Sequence, residues 1–369
     1  MPRRQLGAYL AAGLLLTMFG RLIVTWIAFG FGFVDTSVGE FLQAVLFDRS
    51  IVVEQELLAE HQWALTVALL VVGLLALLGR RVARGGALLL AFLMAAIALR
   101  ELVGLATDER FRDWYVGSNG LAGQIIGTWV MALLIAVGVL VLMLRAGDRP
   151  APGAPAAARG PGAARYTVVG VLLIVLCLAE VGWIIRTLAD GVDAGDYFLG
   201  LVDASVDTYG NQIAGSWAFF GFAYAVALLV TGLLALLRRP VVRGAALTLA
   251  GTLLYFQLRF VVNTTFAESL FDDAQWPHPT WSMQTDHLEG WLRILTMVGG
   301  AVLAAVVIAL VLGAPERDRA GTEAVVPPGA MPRWPAPPAQ PAPGTGPTPP
   351  SALLTAPPNL PPPPAAPPR

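Results

Sequence analysis

Residues Leu69–Leu90 read LLVVGLLALLGRRVARGGALLL, and residues Leu228–Leu249 read LLVTGLLALLRRPVVRGAALTL. The second segment follows the first at a constant offset of 159 residues, without a gap. That offset carries Gly73 onto Gly232, Arg84 onto Arg243 and Gly85 onto Gly244, and further on Arg100 onto Arg259. Apolar composition alone would align many Leu and Ala positions, but not Arg and Gly in register. The chain therefore reads as an internal duplication. Each segment is an apolar run, a short Arg-bearing turn and a second apolar run, the pattern of two membrane helices joined as an antiparallel hairpin.

Composition agrees. Of 369 residues, 56% are hydrophobic and 13% charged, and the mean hydropathy is +0.67. Soluble domains carry about 25% charged residues, so this chain has half the usual share. A net charge of −1, with the basic residues split among short clusters, gives no attraction for nucleic acid. All 24 cationic side chains are Arg and none is Lys. With the abundant Ala, Gly and Pro, this usage points to a GC-rich bacterial genome. The single cysteine, Cys177, sits in an apolar run and reads as a small packing residue.

A bilayer-spanning helix needs about 20 largely apolar residues. Eight windows qualify or nearly do: 7–29, 62–79, 86–106, 123–145, 166–188, 216–237, 244–263 and 289–313. The first begins with Arg3 and Arg4 as a signal peptide would, but its apolar stretch exceeds the ~7–15 residues of a signal core and no A-x-A-like site follows. It reads as a retained span. The fold expected is an all-α integral membrane protein with eight transmembrane helices, arranged as two tandem parallel four-helix repeats, plus a disordered Pro-rich C-terminal tail. The domains are residues 1–147 (first repeat), 148–165 (flexible cytoplasmic linker rich in Pro, Ala and Gly), 166–313 (second repeat) and 314–369 (cytoplasmic tail). Four spans per copy give both copies one orientation, related by a pseudo-twofold along the membrane normal.

Orientation follows from the arginines. Alternate connections carry Arg3/Arg4, Arg80/Arg81/Arg84, Arg145/Arg149/Arg159/Arg165 and Arg238/Arg239/Arg243, while the intervening ones are longer and acidic. The positive-inside rule puts the Arg-bearing loops and both termini in the cytoplasm, and the chain in the plasma (inner) membrane. The arginines of the short inner loops read as topological anchors. Two outer stretches, Val38–Leu46 and Phe198–Val206, have apolar residues at helical spacing and suit short helices that lie on the outer membrane surface or cap the bundle.

Charges within spans are costly, roughly 2.5–3.5 kcal/mol for a central Arg or Asp on insertion scales. Arg100 lies 16 residues after Arg84, and Arg259 lies 16 after Arg243, so each stands about 24 Å above the inner boundary. Arg21 and Glu180 reach similar depth. Arg100 and Glu101, adjacent on a helix, point about 100° apart and call for different partners. Glu180 suits pairing with an Arg of a neighbouring helix. Glu289 and Arg293 share a helix face. These arginines admit three readings: anchors that snorkel to the headgroups, a structural ion-pair network, or the lining of an outward-facing pocket for an anionic or polar ligand or a lipid headgroup.

No nucleotide, nucleophile-elbow or dinucleotide motif occurs in its structural context, and the spans hold no nucleophile with a base. The residues indicate no enzyme, no cofactor and no metal. The nearest thing to a metal cluster is the outer stretch with Asp272, Asp273, His278, Asp286 and His287, which lacks any recognised spacing. Beyond Ala314 the chain holds about 20 of its 28 prolines and favours solvated polyproline II. It reads as a low-complexity tail or as a docking strip for a cytoplasmic protein partner. The leading functional expectation is non-enzymatic binding or transport of a small solute or lipid between the repeats, toward the outer leaflet. The ligand contacts would be Arg21, Arg100, Glu180 and Arg259. The alternative is a structural or scaffolding subunit of a membrane complex.

Overall fold

The computed structural model describes residues 3–32, 60–117, 122–145, 163–209, 212–239, 241–270 and 287–313. Among them every regular element is helical. In chain order they are α1 (Arg3–Gly32), α2 (Glu60–Leu77), α3 (Val82–Thr107), α4 (Glu109–Gly117), α5 (Ala122–Arg145), α6 (Ala163–Ala189), α7 (Ala194–Gly200), a 3-10 turn (Ala204–Tyr209), α8 (Gln212–Leu236), α9 (Val242–Leu270) and α10 (Leu288–Leu312). The Pro-rich tail, linker residues 148–162, the stretch Val38–Leu46 and residues 272–286 lie outside the described residues, whereas linker residues 163–165 form the start of α6.

Seven helices, namely α1, α3, α5, α6, α8, α9 and α10, are long and apolar enough to cross a membrane. The remaining window of the sequence falls on α2, whose apolar part, Trp63–Leu77, is shorter because a tight turn ends it. The outward faces of the bundle are apolar: Leu134, Leu178, Leu295 and Leu312 are all well exposed. Water-soluble proteins rarely expose contiguous apolar surface on this scale. Hydrocarbon is the matching solvent, and helices meet its demand that backbone polar groups be satisfied internally. The chain is thus a multi-pass membrane protein.

In the first half α1 packs on α2 and α5, and α3 packs on α5 and α2, closing a ring of four. In the second half α6 packs on α8 and α10, and α9 on α10 and α8, in the same order. The halves meet chiefly through α3 and α9. There Gly85 lies against the backbone of Val241, Gly244 and Ala245, while Gly244 lies against that of Val82 and Gly86. A Cβ on either glycine would overlap the facing carbonyl oxygen. Glycine is what lets two helix backbones approach this closely, gaining dispersion and Cα–H···O contacts that lipid cannot replace.

The turns after α2 and α8 have one design. The Gly79 amide bonds the Ala76 carbonyl at 3.0 Å and the Arg80 amide the Leu75 carbonyl at 2.9 Å; the Arg238 amide bonds Ala235 at 2.9 Å and the Arg239 amide Leu234 at 3.0 Å. This paired pattern closes a helix through one left-handed residue. That residue is Gly79 (φ 67°) in the first turn and Arg238 (φ 55°) in the second. Two arginines also close helix ends: Arg84 Nε donates to the Met143 carbonyl at 3.1 Å, and Arg165 to the Gly313 carbonyl. Cations there offset the negative ends of α5 and α10.

Candidate functional site

The site begins toward the C-terminal end of α3, where the sequence IALRELVGLAT sets an Arg-Glu pair into an apolar helix. Arg100 and Glu101 are only 5% and 6% exposed. Arg100 Nε donates to the Gly200 carbonyl at the end of α7, 2.8 Å away. Its guanidinium stands 5.3 Å from the centre of the Phe219 ring of α8, a cation–π arrangement. Its Nη1 reaches Glu101 Oε1 at 3.2 Å. The two neighbours therefore share an ion pair, although their Cβ directions diverge, because the long Arg side chain folds back across the helix.

About two turns further along, the same helix receives Asp203. Thr107 Oγ1 donates to Asp203 Oδ2 at 2.8 Å, while Ser205 donates to Oδ1 from its hydroxyl (2.7 Å) and its amide (2.9 Å). Burial alone would raise the Asp203 carboxyl. The three hydrogen bonds, with Arg100's charge, outweigh burial and hold it below the usual carboxylate value. Gly104 leaves room for this docking, since a Cβ there would stand 2.9 Å from the Ser205 amide nitrogen. The segment from α7 through the 3-10 turn is thus latched across α3 by Arg100 below and Thr107 above.

The other candidates sit on other helices. Arg21 on α1 donates from Nε to Thr128 Oγ1 of α5 at 3.0 Å. Arg259 on α9 is 6% exposed. Glu180 on α6 is half-buried, lies near Cys177 and Tyr224, and forms no ion pair with an arginine among the described residues. The arginine partner expected for it is not there. The sequence offset relates Arg21 to Glu180, opposite charges at one level of the two halves. Where the end of α6 meets the start of α10, Glu289 pairs with Arg186 at 2.8 Å, Arg186 also bonds Asp190, and Arg293 stacks on Phe260 at 5.7 Å.

The interiors of the halves differ. In the first, Met18, Leu65, Met94, Ile97 and Trp129 line a cavity of about 20 Å³, room for one water-sized particle. The offset places Tyr224 and Phe256 where Leu65 and Ile97 stand. Their rings meet edge to face at 5.7 Å. Nearby on α9, Gln257 is buried with its carboxamide laid over Gly300 of α10.

Sequence reasoning did not single out Thr107, Asp203, Ser205, Gly200 or Phe219. Asp203 was legible only as one acid among several in an outer loop, although the spacing Asp-x-Ser is itself the signature of a side chain that bonds a nearby backbone amide. Comparison with known protein families, with curated proteins and with solved structures finds no match for this chain.

Proposed function

We propose that this is a non-enzymatic membrane protein with eight spans, built as two parallel copies of a four-helix unit, that binds or moves a small solute or lipid at an outer-leaflet site between the copies. Several features support the arrangement. The 18 residues of α2 are about 27 Å long, close to the hydrocarbon thickness, and α2 closes the same ring as its longer neighbours. Eight spans return both termini and the Pro-rich tail to the Arg-rich, cytoplasmic side of the bacterial plasma membrane.

The observation that carries the functional reading is the pair Arg100 and Arg259. They are related by the 159-residue offset, stand in the outer third of the two helices that join the halves, and are each about 95% buried. A buried cation at this depth costs several kcal/mol unless something anionic or polar compensates it. Keeping it at both positions argues for a use. Arg21 and Glu180 would complete the polar lining. The second reading, a structural subunit of a membrane complex, is favoured by the Arg100–Gly200 bond, which serves packing without any ligand. In that case the tail and outer loops would be its contact surfaces.

Native mass spectrometry in mild detergent separates these readings, comparing the wild type with Arg259→Ala and with the Arg100→Ala/Arg259→Ala double variant. A bound small molecule or lipid that is lost from still-folded variants supports the binding site. Bare wild type, or wild type carrying only a protein partner, returns the scaffold. Deletion of residues 320–369 should then remove that partner.

A further inference from the structure

The latched segment wears its chemistry inside out. Gly200, Asp203, Ala204 and Ser205 are buried, as is the ring of Tyr197, while Phe198 (51% exposed), Leu199 (50%) and Val202 (57%) face outward. A cap bathed in water would be arranged the other way round. Depth explains the inversion. Arg100, which holds Gly200, stands about 24 Å above the inner boundary marked by Arg84, and Thr107, which holds Asp203, about 35 Å above it. The hydrocarbon core is about 30 Å thick, so the two fastenings straddle its outer edge. Leu178 and Ile185 of α6 and Val192 just before α7 are likewise exposed. The start of the segment carries exposed Asp193 and Asp196, with Asp193 Oδ1 accepting the Asp196 amide at 3.0 Å, and these belong in water.

We propose that α7 and the turn after it form an interfacial strip seated in the outer leaflet, with Phe198, Leu199 and Val202 in the upper acyl-chain region and Asp193 and Asp196 in the aqueous headgroup zone. The occupant of this surface is lipid, not a protein. An amphipathic element at this interface buries its apolar face by roughly 5–10 Å. This assignment is independent of any solute site, since it concerns only the outward face of the latch.

Site-directed spin labelling tests it. The full chain, with Cys177→Ala as background, receives one cysteine at a time at positions 193, 196, 198, 199 and 202, with position 178 as a lipid-facing reference. Each variant is labelled and reconstituted in phosphatidylcholine–phosphatidylglycerol vesicles. Labels at 198, 199 and 202 should be severalfold more accessible to oxygen than to a water-soluble nickel chelate, as at 178, and those at 193 and 196 the reverse. Nickel accessibility at 198, 199 and 202 equal to that at 193 would overturn the proposal, because the strip would then be in water. Labels reached by neither reagent would also overturn it, showing that protein covers the face. Should the Cys177→Ala background fail to fold, Phe198→Trp in the native chain serves instead. Extra quenching of its fluorescence by lipids brominated high on the acyl chain is expected, and no quenching beyond wild type counts against the strip.

Discussion

Gly85 and Gly244 are each other's counterparts, and each lies against the backbone of the helix that carries the other. Val82 faces Gly244 as Val241 faces Gly85, and both relations span the same 159 residues. The contact is backbone on backbone, so it has almost no room to adjust.

Gly85→Ala and Gly244→Ala should therefore each destabilise the bundle, by about 1–3 kcal/mol or more, because the added methyl meets a carbonyl oxygen rather than a yielding side chain. The two effects should be non-additive, since either substitution parts the same crossing. Gly251→Ala on α9 is the control: a Cβ there meets nothing within 4 Å. It should be neutral or stabilising through helix propensity. Denaturation in detergent followed by circular dichroism measures the three single variants and the Gly85→Ala/Gly244→Ala double.

Arg238→Gly should raise stability by about 1 kcal/mol in the same assay. Arg238 holds a left-handed conformation at φ 55° that disfavours a residue with a Cβ. Gly79→Ala, at φ 67°, should lower stability by a similar amount. Equal effects of opposite sign would fit one shared turn geometry; a loss on Arg238→Gly would point to an undetected contact of that side chain.

Asp203 supplies a pH dependence. Its carboxyl is held below its ordinary value of 3.8 in the folded protein, so it contributes stability that is fully present above 3.8 and lost as pH falls through the lowered folded value. Acidification below 3.8 should loosen the 194–209 segment. Asp203→Asn should cost about 1–2 kcal/mol near neutral pH and flatten that acid dependence. Hydrogen exchange of the segment as a function of pH reads both effects, and an unchanged acid profile in Asp203→Asn would exclude this carboxyl as the source.

Arg100→Ala removes the lower fastening of the same segment. Amide exchange in Ala194–Tyr209 should rise by about tenfold, the equivalent of one charged hydrogen bond. Arg259→Ala should leave that segment's exchange unchanged. Equal effects of the two variants would mean that the segment responds to general loosening of the bundle rather than to its own latch.

The fold was legible where chemistry is periodic. Apolar runs bounded by Arg-Arg or Trp located the helices, and Arg and Gly in register revealed the internal offset. The length of α2 was the weak point, because a tryptophan and a tight turn crowd it from both ends. The polar sites were less legible. The depth of Arg100 along its span was legible, but whether it snorkels or is buried was not, nor was its choice of the Gly200 carbonyl, since that partner lies 100 residues away and offers only a backbone atom. Glu180 shows the converse: its charge was conspicuous in the sequence, yet its expected arginine is not beside it. Pairing across helices depends on rotation and stagger, which hydropathy does not encode.

The crossing of α3 and α9 also bears on how far the two halves can differ. A joint made of main chain recognises no side-chain identity beyond the absence of one at two positions. As long as Gly85 and Gly244 persist, substitutions elsewhere leave the joint intact: an arginine can stand opposite a glutamate, as Arg21 and Glu180 do, and a cavity can become an aromatic pair, as at Tyr224 and Phe256. Two halves fastened in this way can differ in their side chains without coming apart.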